Sequence, residues 1–354
     1  MFSNTKWYRE DIEYIASFNI DWEKLQGTSV LVTGATGLIG TVVVDALMYK
    51  NSVDKLDLKV FALARDKEKI EKNFGSYRKA RFFKAIRGDV AKKLIVKEKV
   101  DFIINLASNT HPALYATKPI ETINSIVTGT KNVLEFAASN KVKRVINASS
   151  VEVYGENRGD TERFKEDYSG YINSNTLRAG YPESKRLAEA LCQAYIAEKN
   201  LDIVSVRLGR VYGSTTQKSD SKSTSQFIRS AVNKQDIVLK SEGRQEYSYV
   251  YVADVVVALL LLLTRGESSE SYNIASDEAK DLRGVAEAIA NINNSKVVFD
   301  IPNETERKGS SVVQRALMDS SKIKALGWRS GYDLVNGLER TVRILEGMND
   351  AKKQ

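Results

Sequence analysis

Cysteine and histidine are nearly missing from this 354-residue chain: each occurs once, as Cys192 and His111. A lone cysteine closes no internal disulfide and fits a reducing compartment, and one histidine builds neither a Cys/His metal site nor a triad with evident partners. No metal is expected. Long hydrophobic runs are lacking as well. The most apolar stretch, Val255 to Leu263, stops at Thr264-Arg265, far short of the roughly 20 residues of a membrane span. The opening stretch MFSNTKWYREDIEYIASF is broken by charges and has neither an unbroken apolar core nor a small-residue cleavage site. These absences predict a cytoplasmic protein that does not associate with membranes. Prolines number only four, and no proline-rich linker, repeat or low-complexity tail divides the chain.

What is present points to a globular protein. A hydrophobic share of 42% and a charged share of 28% exclude disorder and fibrous repeats. The net charge of +8 and pI near 9.2 suit an anionic partner, either nucleic acid or a phosphate-bearing small molecule. Most lysines alternate with acids, as in Asp66-Lys67-Glu68-Lys69 and Lys97-Glu98-Lys99, which reads as solvated surface. No basic strip interleaved with aromatics occurs, so no nucleic-acid partner is expected.

Trp7, Tyr8, Ile12, Ile15 and Phe18 recur at near-helical spacing, predicting a helical extension over residues 1–26 that packs on the main body or, alternatively, forms an oligomer contact. From Ser29 onward, strand-like runs SVLVTG, LKVFALAR, VDFIINLAS, RVINASS and DIVSVRLGR alternate with helix-length amphipathic spacers. That alternation is the signature of βαβ units. It predicts an α/β fold: a doubly wound parallel sheet of the Rossmann kind over 27–207, with a smaller C-terminal substrate-binding lobe over 208–354. About 247–275 is expected to return to the Rossmann domain.

The first strand runs into Thr33-Gly34-Ala35-Thr36-Gly37-Leu38-Ile39-Gly40 and then a helical pattern. Glycines at this point let backbone N–H groups approach a pyrophosphate at a helix N-terminus, or simply permit a close strand-to-helix crossing. A dinucleotide-binding turn is the reading that the flanking context favours. The second strand ends at Ala64, where such folds place an acidic residue against the adenosine ribose. Arg65 follows and suits a ribose 2′-phosphate, tilting the NAD(P) cofactor toward NADP(H), although Asp66 can also serve the ribose. Asp89, in Gly88-Asp89-Val90, is either an adenine-side carboxylate or an ordinary turn aspartate.

Tyr181 and Lys185 stand four apart in YPESKRLAEALCQAY, on one face of a helix. An ammonium beside a phenol stabilises phenolate, and the expected effect is to lower the tyrosine pKa toward neutrality. Ser149 and Ser150 end the strand RVINA, where carboxyl-end residues of a parallel sheet face the ligand crevice. One hydroxyl there would hold a reacting alcohol; the other reading is a strand-end serine capping the next segment.

Together TGATGLIG, NLAS with Asn124 downstream, SSVEVYG, YPESK, YVAD and LGW resemble the extended short-chain dehydrogenase/reductase superfamily. Within it they resemble the NAD-dependent epimerase/dehydratase family, which modifies nucleotide-linked sugars. The similarity runs from about Gly27 to Gly347. It implies that Gly34, Thr36, Gly37, Leu38, Ile39, Gly40, Arg65, Asp89, Val90, Leu106, Ala107, Ser108 and Lys185 serve the cofactor. It also implies that Tyr181 exchanges a proton with the sugar hydroxyl, that Ser150 holds that hydroxyl, and that Asn124 orders Lys185. A homodimer is common in the resembled family.

The local likeness is strongest to UDP-glucuronate decarboxylases, in ASNTHPALYATKPIETINSIVTGT and EDYSGYINSNTLRAGYPESKRLAEALC. Three departures qualify it. Tyr247 stands where those enzymes carry an arginine, removing a cation expected near a substrate carboxylate. Val151 replaces the acid of the Asp-Glu pair of hexose 4,6-dehydratases, leaving Glu152 as a base or as a polar support. Arg210 stands where the family has asparagine, which suggests a relocated diphosphate clamp or a surface arginine; Arg244 is a second clamp candidate, and His111 a substrate contact. The expectation that survives is carbinol–ketone chemistry on a nucleotide-linked sugar, by keto-sugar reduction or C4 epimerisation. Decarboxylation and 4,6-dehydration remain alternatives, as does a non-catalytic dinucleotide sensor, which would have no need for Tyr181, Lys185 and Ser150 together.

Overall fold

The computed structural model describes residues 5–110, 115, 117–301 and 315–350. Helix α1 (Lys6–Ser17) leads into strand β1 (Ser29–Thr33), helix α2 (Leu38–Asp54), β2 (Lys59–Ala64), α3 (Lys67–Phe74), β3 (Phe83–Arg87), β4 (Phe102–Asn105), α4 (Pro119–Ser139), β5 (Arg144–Ser150), α5 (Gly180–Lys199) and β6 (Ile203–Leu208). Every residue of β1 and β4 is buried, as strands covered by helices on both faces must be. The chain then forms β7 (Arg210–Tyr212), α6 (Ser223–Val232), β8 (Ile237–Leu239), β9 (Glu246–Tyr251), α7 (Val252–Arg265) and β10 (Ser271–Ile274). It closes with β11 (Ala279–Asp281), α8 (Leu282–Ile292), β12 (Val297–Phe299), β13 (Arg315–Ala316), α9 (Ser321–Ala325) and α10 (Leu334–Asp350).

Seven strands form one sheet in the order β10-β6-β5-β4-β1-β2-β3, with every pairing parallel. The fold is therefore the doubly wound α/β architecture anticipated from the alternation of strands and spacers. From β1 the chain winds outward through β2 and β3, then crosses to the other side at β4. The crevice beyond the carboxyl ends of β1 and β4 is the topological switch point, where open parallel sheets bind ligands.

A smaller sheet sets β9 between β11 and β13, with β7 also paired to β9. The return to the large sheet, expected from about residue 247, therefore begins later. β9 belongs to the smaller sheet, and α7 and β10 make the return. Periodicity reveals a buried strand but not the sheet it joins, and Tyr247, Tyr249 and Tyr251 are buried in either case. All of α7 except its last residue is buried, so its apolar run is an internal helix of 14 residues. Among the described residues no helix is long and apolar enough to cross a membrane.

Helix α1 buries Tyr8, Ile12 and Ile15 against its own body, while Trp7 stays exposed under the Arg340 guanidinium, 5.0 Å from its ring. Asp11, a charge on the buried face, is matched by Arg340 Nε at 2.7 Å and by the Tyr251 hydroxyl at 2.5 Å.

Candidate active site

A cavity of about 820 Å³ opens at the switch point and extends toward the smaller sheet, between the strand ends and the start of α6. Gly34 follows β1 with φ +64°, and a Cβ there would lie 2.9 Å from the backbone of Leu106 and Ala107. At Gly40 a Cβ would lie 2.5 Å from the Gly34 carbonyl. Both glycines are thus required by close backbone crossings. The same turn also suits a phosphate: Gly37 caps α2 without any side-chain bond, and Gly37, Leu38, Ile39 and Gly40 line the cavity. The uncapped first-turn N–H groups bring the positive end of the helix dipole to that wall. Thr36 is half-buried within the turn. Leu106 and Ser108 line the cavity, and the Ala107 N–H is turned away, toward Thr33 Oγ1 at 3.3 Å. The hydroxyls of Ser108 and Ser149 are buried without a hydrogen-bond partner among the described residues, on residues that line the cavity. Unpaired buried hydroxyls beside an uncapped helix start fit a polar, phosphate-bearing dinucleotide.

Five cofactor candidates do not line this cavity: Thr36 and Ala107, already placed, and Arg65, Asp89 and Val90. Arg65 reaches Glu121 Oε1 at 3.4 Å and Asn109 Oδ1 at 3.3 Å, so its charge already has a carboxylate partner. Asp89 accepts from the Ala91 N–H at 3.0 Å, the geometry of the turn aspartate. Val90 is core: it is buried so closely against α4 that a Cβ on Gly129 would come within 2.8 Å of it. Asp66 accepts from the Glu68 and Lys69 N–H groups as the cap of α3, which commits the carboxylate that might otherwise serve the ribose.

The acid–base candidates converge. Tyr181 and Lys185 project from the first turns of α5 into the cavity beside Ser150 at the end of β5. Ser150 stands near enough to the Tyr181 phenol to favour its ionised form, and its hydroxyl accepts from the Glu152 N–H at 3.3 Å. Lys185 Nζ donates to the Ala148 carbonyl at 2.7 Å and lies 6.0 Å from the Tyr181 ring centroid. The expected lowering of the tyrosine pKa is not what this arrangement produces. Burial pushes Tyr181 above the usual phenol range, with Glu152 adding to the rise and Ser150, Arg210 and Arg178 opposing it. Lys185 is itself brought down to about 8 by burial.

Asn124 does not join this group. It is exposed on α4, whereas Ile126, two residues further on, is buried in a cluster with Tyr115, Tyr181 and Ala188. A two-residue offset turns a helical side chain to nearly the opposite face, and a motif match without side-chain directions cannot detect it.

At the far side of Tyr181, Glu152 is nearly buried between two arginines. Arg178 Nη2 lies 2.8 Å from both carboxylate oxygens, and Arg210 Nη2 lies 3.2 Å from Oε1. The support reading of Glu152 fits this geometry. Arg210 is no surface arginine; it lines the cavity with its guanidinium 4.6 Å from the Tyr247 ring centroid. A cation from β7 therefore stands beside Tyr247. Arg244 is corrected in the other direction: its side chain is 83% exposed, paired with Glu242 at 2.8 Å, and absent from the lining. His111 lies outside the described residues.

Tyr115, Arg178 and Lys222 line the cavity as well and escape sequence reading. Tyr115 stacks on Tyr181 at 4.6 Å and 20°, and the Arg178 guanidinium lies 5.2 Å from the Tyr115 ring. Both residues fall in the stretches that carry the decarboxylase likeness, the one signal pointing to them. Lys222 precedes α6, with Asp220 at 3.5 Å, and burial lowers its pKa.

Residues 30–275 match the NAD dependent epimerase/dehydratase family. UDP-glucuronic acid decarboxylase 1 of Danio rerio is 30% identical over 316 residues, which cover 89% of this chain and 72% of that protein. Among solved structures, UDP-glucose 4-epimerase of Thermotoga maritima, with UDP-glucose, superposes with a TM-score of 0.79 at 22% identity, covering 91% of this chain and 100% of that one. UDP-glucuronic acid 4-epimerase of Bacillus cereus, in complex with UDP-glucuronic acid and NAD, gives 0.77 at 20% identity, covering 91% and 100%.

Proposed function

The chain belongs to the NAD dependent epimerase/dehydratase family, and we propose that within it the protein interconverts a carbinol and a ketone on the sugar ring of a nucleotide-linked sugar, as a keto-sugar reductase or C4 epimerase. The observation that carries this reading is the convergence of Tyr181, Ser150 and Lys185 at one wall of the cavity. A bound nicotinamide dinucleotide would supply the two-electron exchange at the carbinol carbon, and the turn from Gly34 to Gly40, Leu106, Ser108 and Lys185 would hold it.

The remaining roles belong to the protein. Ser150 orients the sugar oxygen, and the Tyr181 phenol gives it a proton in reduction or takes one in oxidation. Burial keeps Tyr181 protonated at neutral pH, which suits the donating direction. Tyr115, stacked on Tyr181, fixes the ring and shields that side from water. Lys222 and the N-terminal turn of α6 also line the cavity and suit the nucleotide diphosphate. Between NAD and NADP, Arg65 keeps the proposal leaning to NADP(H), against the carboxylate of Glu121.

A second reading has its own observation. Arg178 and Arg210 bring two positive charges to one carboxylate, Glu152, and the excess suits a sugar carrying a carboxylate. A hexuronate oxidised at C4 becomes a β-keto acid, so UDP-glucuronate-type decarboxylation stays open. 4,6-Dehydration is less well served, since Val151 can donate no proton and both arginines hold Glu152. Helices α4 and α5 expose Ile120, Ile123 and Leu187, and a homodimer through that face is part of the proposal.

The test is turnover. UDP-, dTDP-, CDP- and GDP-linked sugars and keto sugars are offered with each nicotinamide, and products are identified by mass spectrometry and NMR. Tyr181→Phe should abolish conversion; a variant that retained it would overturn the mechanism.

A further inference from the structure

Lys185 has a charged neighbour outside the cavity. Tyr181, Lys185 and Glu189 follow one another at four-residue spacing along α5, so Glu189 stands one turn beyond the lysine on the same face. Arg207 of β6 grips it with two fingers, Nε to Oε1 at 3.1 Å and Nη2 to Oε2 at 2.7 Å. Both side chains are largely closed off from water. The third finger of Arg207 donates to the Tyr154 hydroxyl at 3.1 Å and the Glu166 carbonyl at 2.6 Å. In the sheet, Arg207 pairs with Ser149, next to the serine that meets Tyr181.

Neither Glu189 nor Arg207 lines the cavity. A buried ion pair is a poor device for stability alone, since well-packed apolar residues serve at least as well. Its position suggests another use. Lys185 sits in a dry setting that disfavours its ammonium, and the Glu189 carboxylate is the largest influence working the other way. The other groups around the amine carry no opposing charge. On α5 these are the Tyr181 phenol and the Cys192 thiol, the latter pushed up to about 12 by burial. From β5 come the Ala148 carbonyl and the Ser149 and Ser150 hydroxyls. From β6 comes Arg207, which partly neutralises Glu189.

We propose that Glu189 is a positioning residue for the acid–base pair: it holds the proton on Lys185 and, through Arg207, holds α5 in register with the strand ends that carry Ser149 and Ser150. The inference rests on the reading of Tyr181 and Lys185 as that pair. It predicts that the two partners of the ion pair act on the lysine with opposite signs, which a purely structural tie would not do.

Lys185 can be titrated without substrate or cofactor. Trace acetic anhydride reacts with the unprotonated amine, and the rate at Lys185 is followed on the full-length protein by peptide mass spectrometry from about pH 6 to about pH 10. The wild-type midpoint is expected near 8. Glu189→Gln keeps the size of the side chain and removes its charge, so the midpoint should fall and labelling at neutral pH should quicken about three- to tenfold. Glu189→Asp should restore most of the wild-type midpoint. Arg207→Met leaves Glu189 unneutralised and should raise the midpoint. An unchanged midpoint in folded Glu189→Gln overturns the proposal; if that variant does not fold, an unchanged or lowered midpoint in Arg207→Met does so. In a parallel arm, saturating NAD+ or NADP+ should protect Lys185. Failure of both to protect it counts against the dinucleotide site and leaves the midpoint result standing.

Discussion

Arg210 places its guanidinium over the ring of Tyr247, 4.6 Å from the centroid. The two residues come from β7 and β9, which pair in parallel with Arg210 opposite Tyr249, so a cation on one strand stands above a tyrosine on the next. Charge-assisted hydrogen bonds to such a group contribute about 1.5–3 kcal/mol. Arg210→Ala should therefore weaken UDP-glucuronate binding by about tenfold to a hundredfold, UDP-glucose less, and NAD+ hardly at all. Titration calorimetry with the three ligands decides it. Equal losses for nucleotide sugar and dinucleotide would remove Arg210 from the substrate site.

Gly34 separates two costs that a single substitution usually mixes. Gly34→Ala puts a side chain at φ +64° and 2.9 Å from the backbone of Leu106 and Ala107. The left-handed conformation alone costs about 1–2 kcal/mol, and the backbone it meets cannot step aside. The variant should melt lower and lose NAD+ binding. Gly327→Ala is the control, since Gly327 has φ +98° but open space around it. It should also melt lower while binding NAD+ with unchanged affinity. Similar affinity in both variants would mean that the turn does not hold the cofactor.

How far the sequence was legible depends on how local each signal is. The doubly wound sheet could be read because β1, β2, β4, β5 and β6 are short buried runs with helix-length spacers, a pattern that needs no long-range information. The turn from Gly34 to Gly40 and the Tyr181–Lys185 spacing are local too, and they converge on one cavity. Asn124 and Val90 failed because a motif gives position along the chain without side-chain direction, and Arg244 failed because a candidate cation in a loop can find a neighbouring acid first. Arg178 and Tyr115 went unmarked because their importance lies in what they touch, Glu152 and Tyr181, across long separations in the chain.

The proposed lean toward NADP(H) turns on another long-range partner. Arg65 suits a 2′-phosphate, but Glu121 of α4 stands 3.4 Å from it, with both side chains about half exposed. Such a pair contributes no more than about 1 kcal/mol, so an incoming phosphate can displace it. Arg65→Ala should weaken NADP+ severalfold and leave NAD+ nearly unchanged, whereas Glu121→Gln should tighten NADP+ alone. Binding isotherms for both nucleotides give the answer. If Arg65→Ala lowers the two affinities equally, the arginine does not read the phosphate.

Asp45 carries a pH dependence of known sign. It is buried in α2, where it accepts from the Tyr8 hydroxyl at 2.6 Å and the Tyr77 hydroxyl at 3.0 Å, tying α1 to the main body. Burial outweighs both bonds and raises its pKa from 3.8 to about 6. Between those values the folded protein binds more protons at this site than the unfolded chain. Stability therefore falls as pH rises through that window and stays lower above it, by about 3 kcal/mol at most. Asp45→Asn removes the charge while keeping one acceptor and one donor for the two phenols. It should be more stable than wild type at pH 7 by about 1–3 kcal/mol, with the gain shrinking as pH falls toward 4. Denaturant unfolding at several pH values measures both curves. A variant that is less stable at every pH by the same amount would show that the two tyrosine bonds, and not the cost of the buried charge, govern this contact.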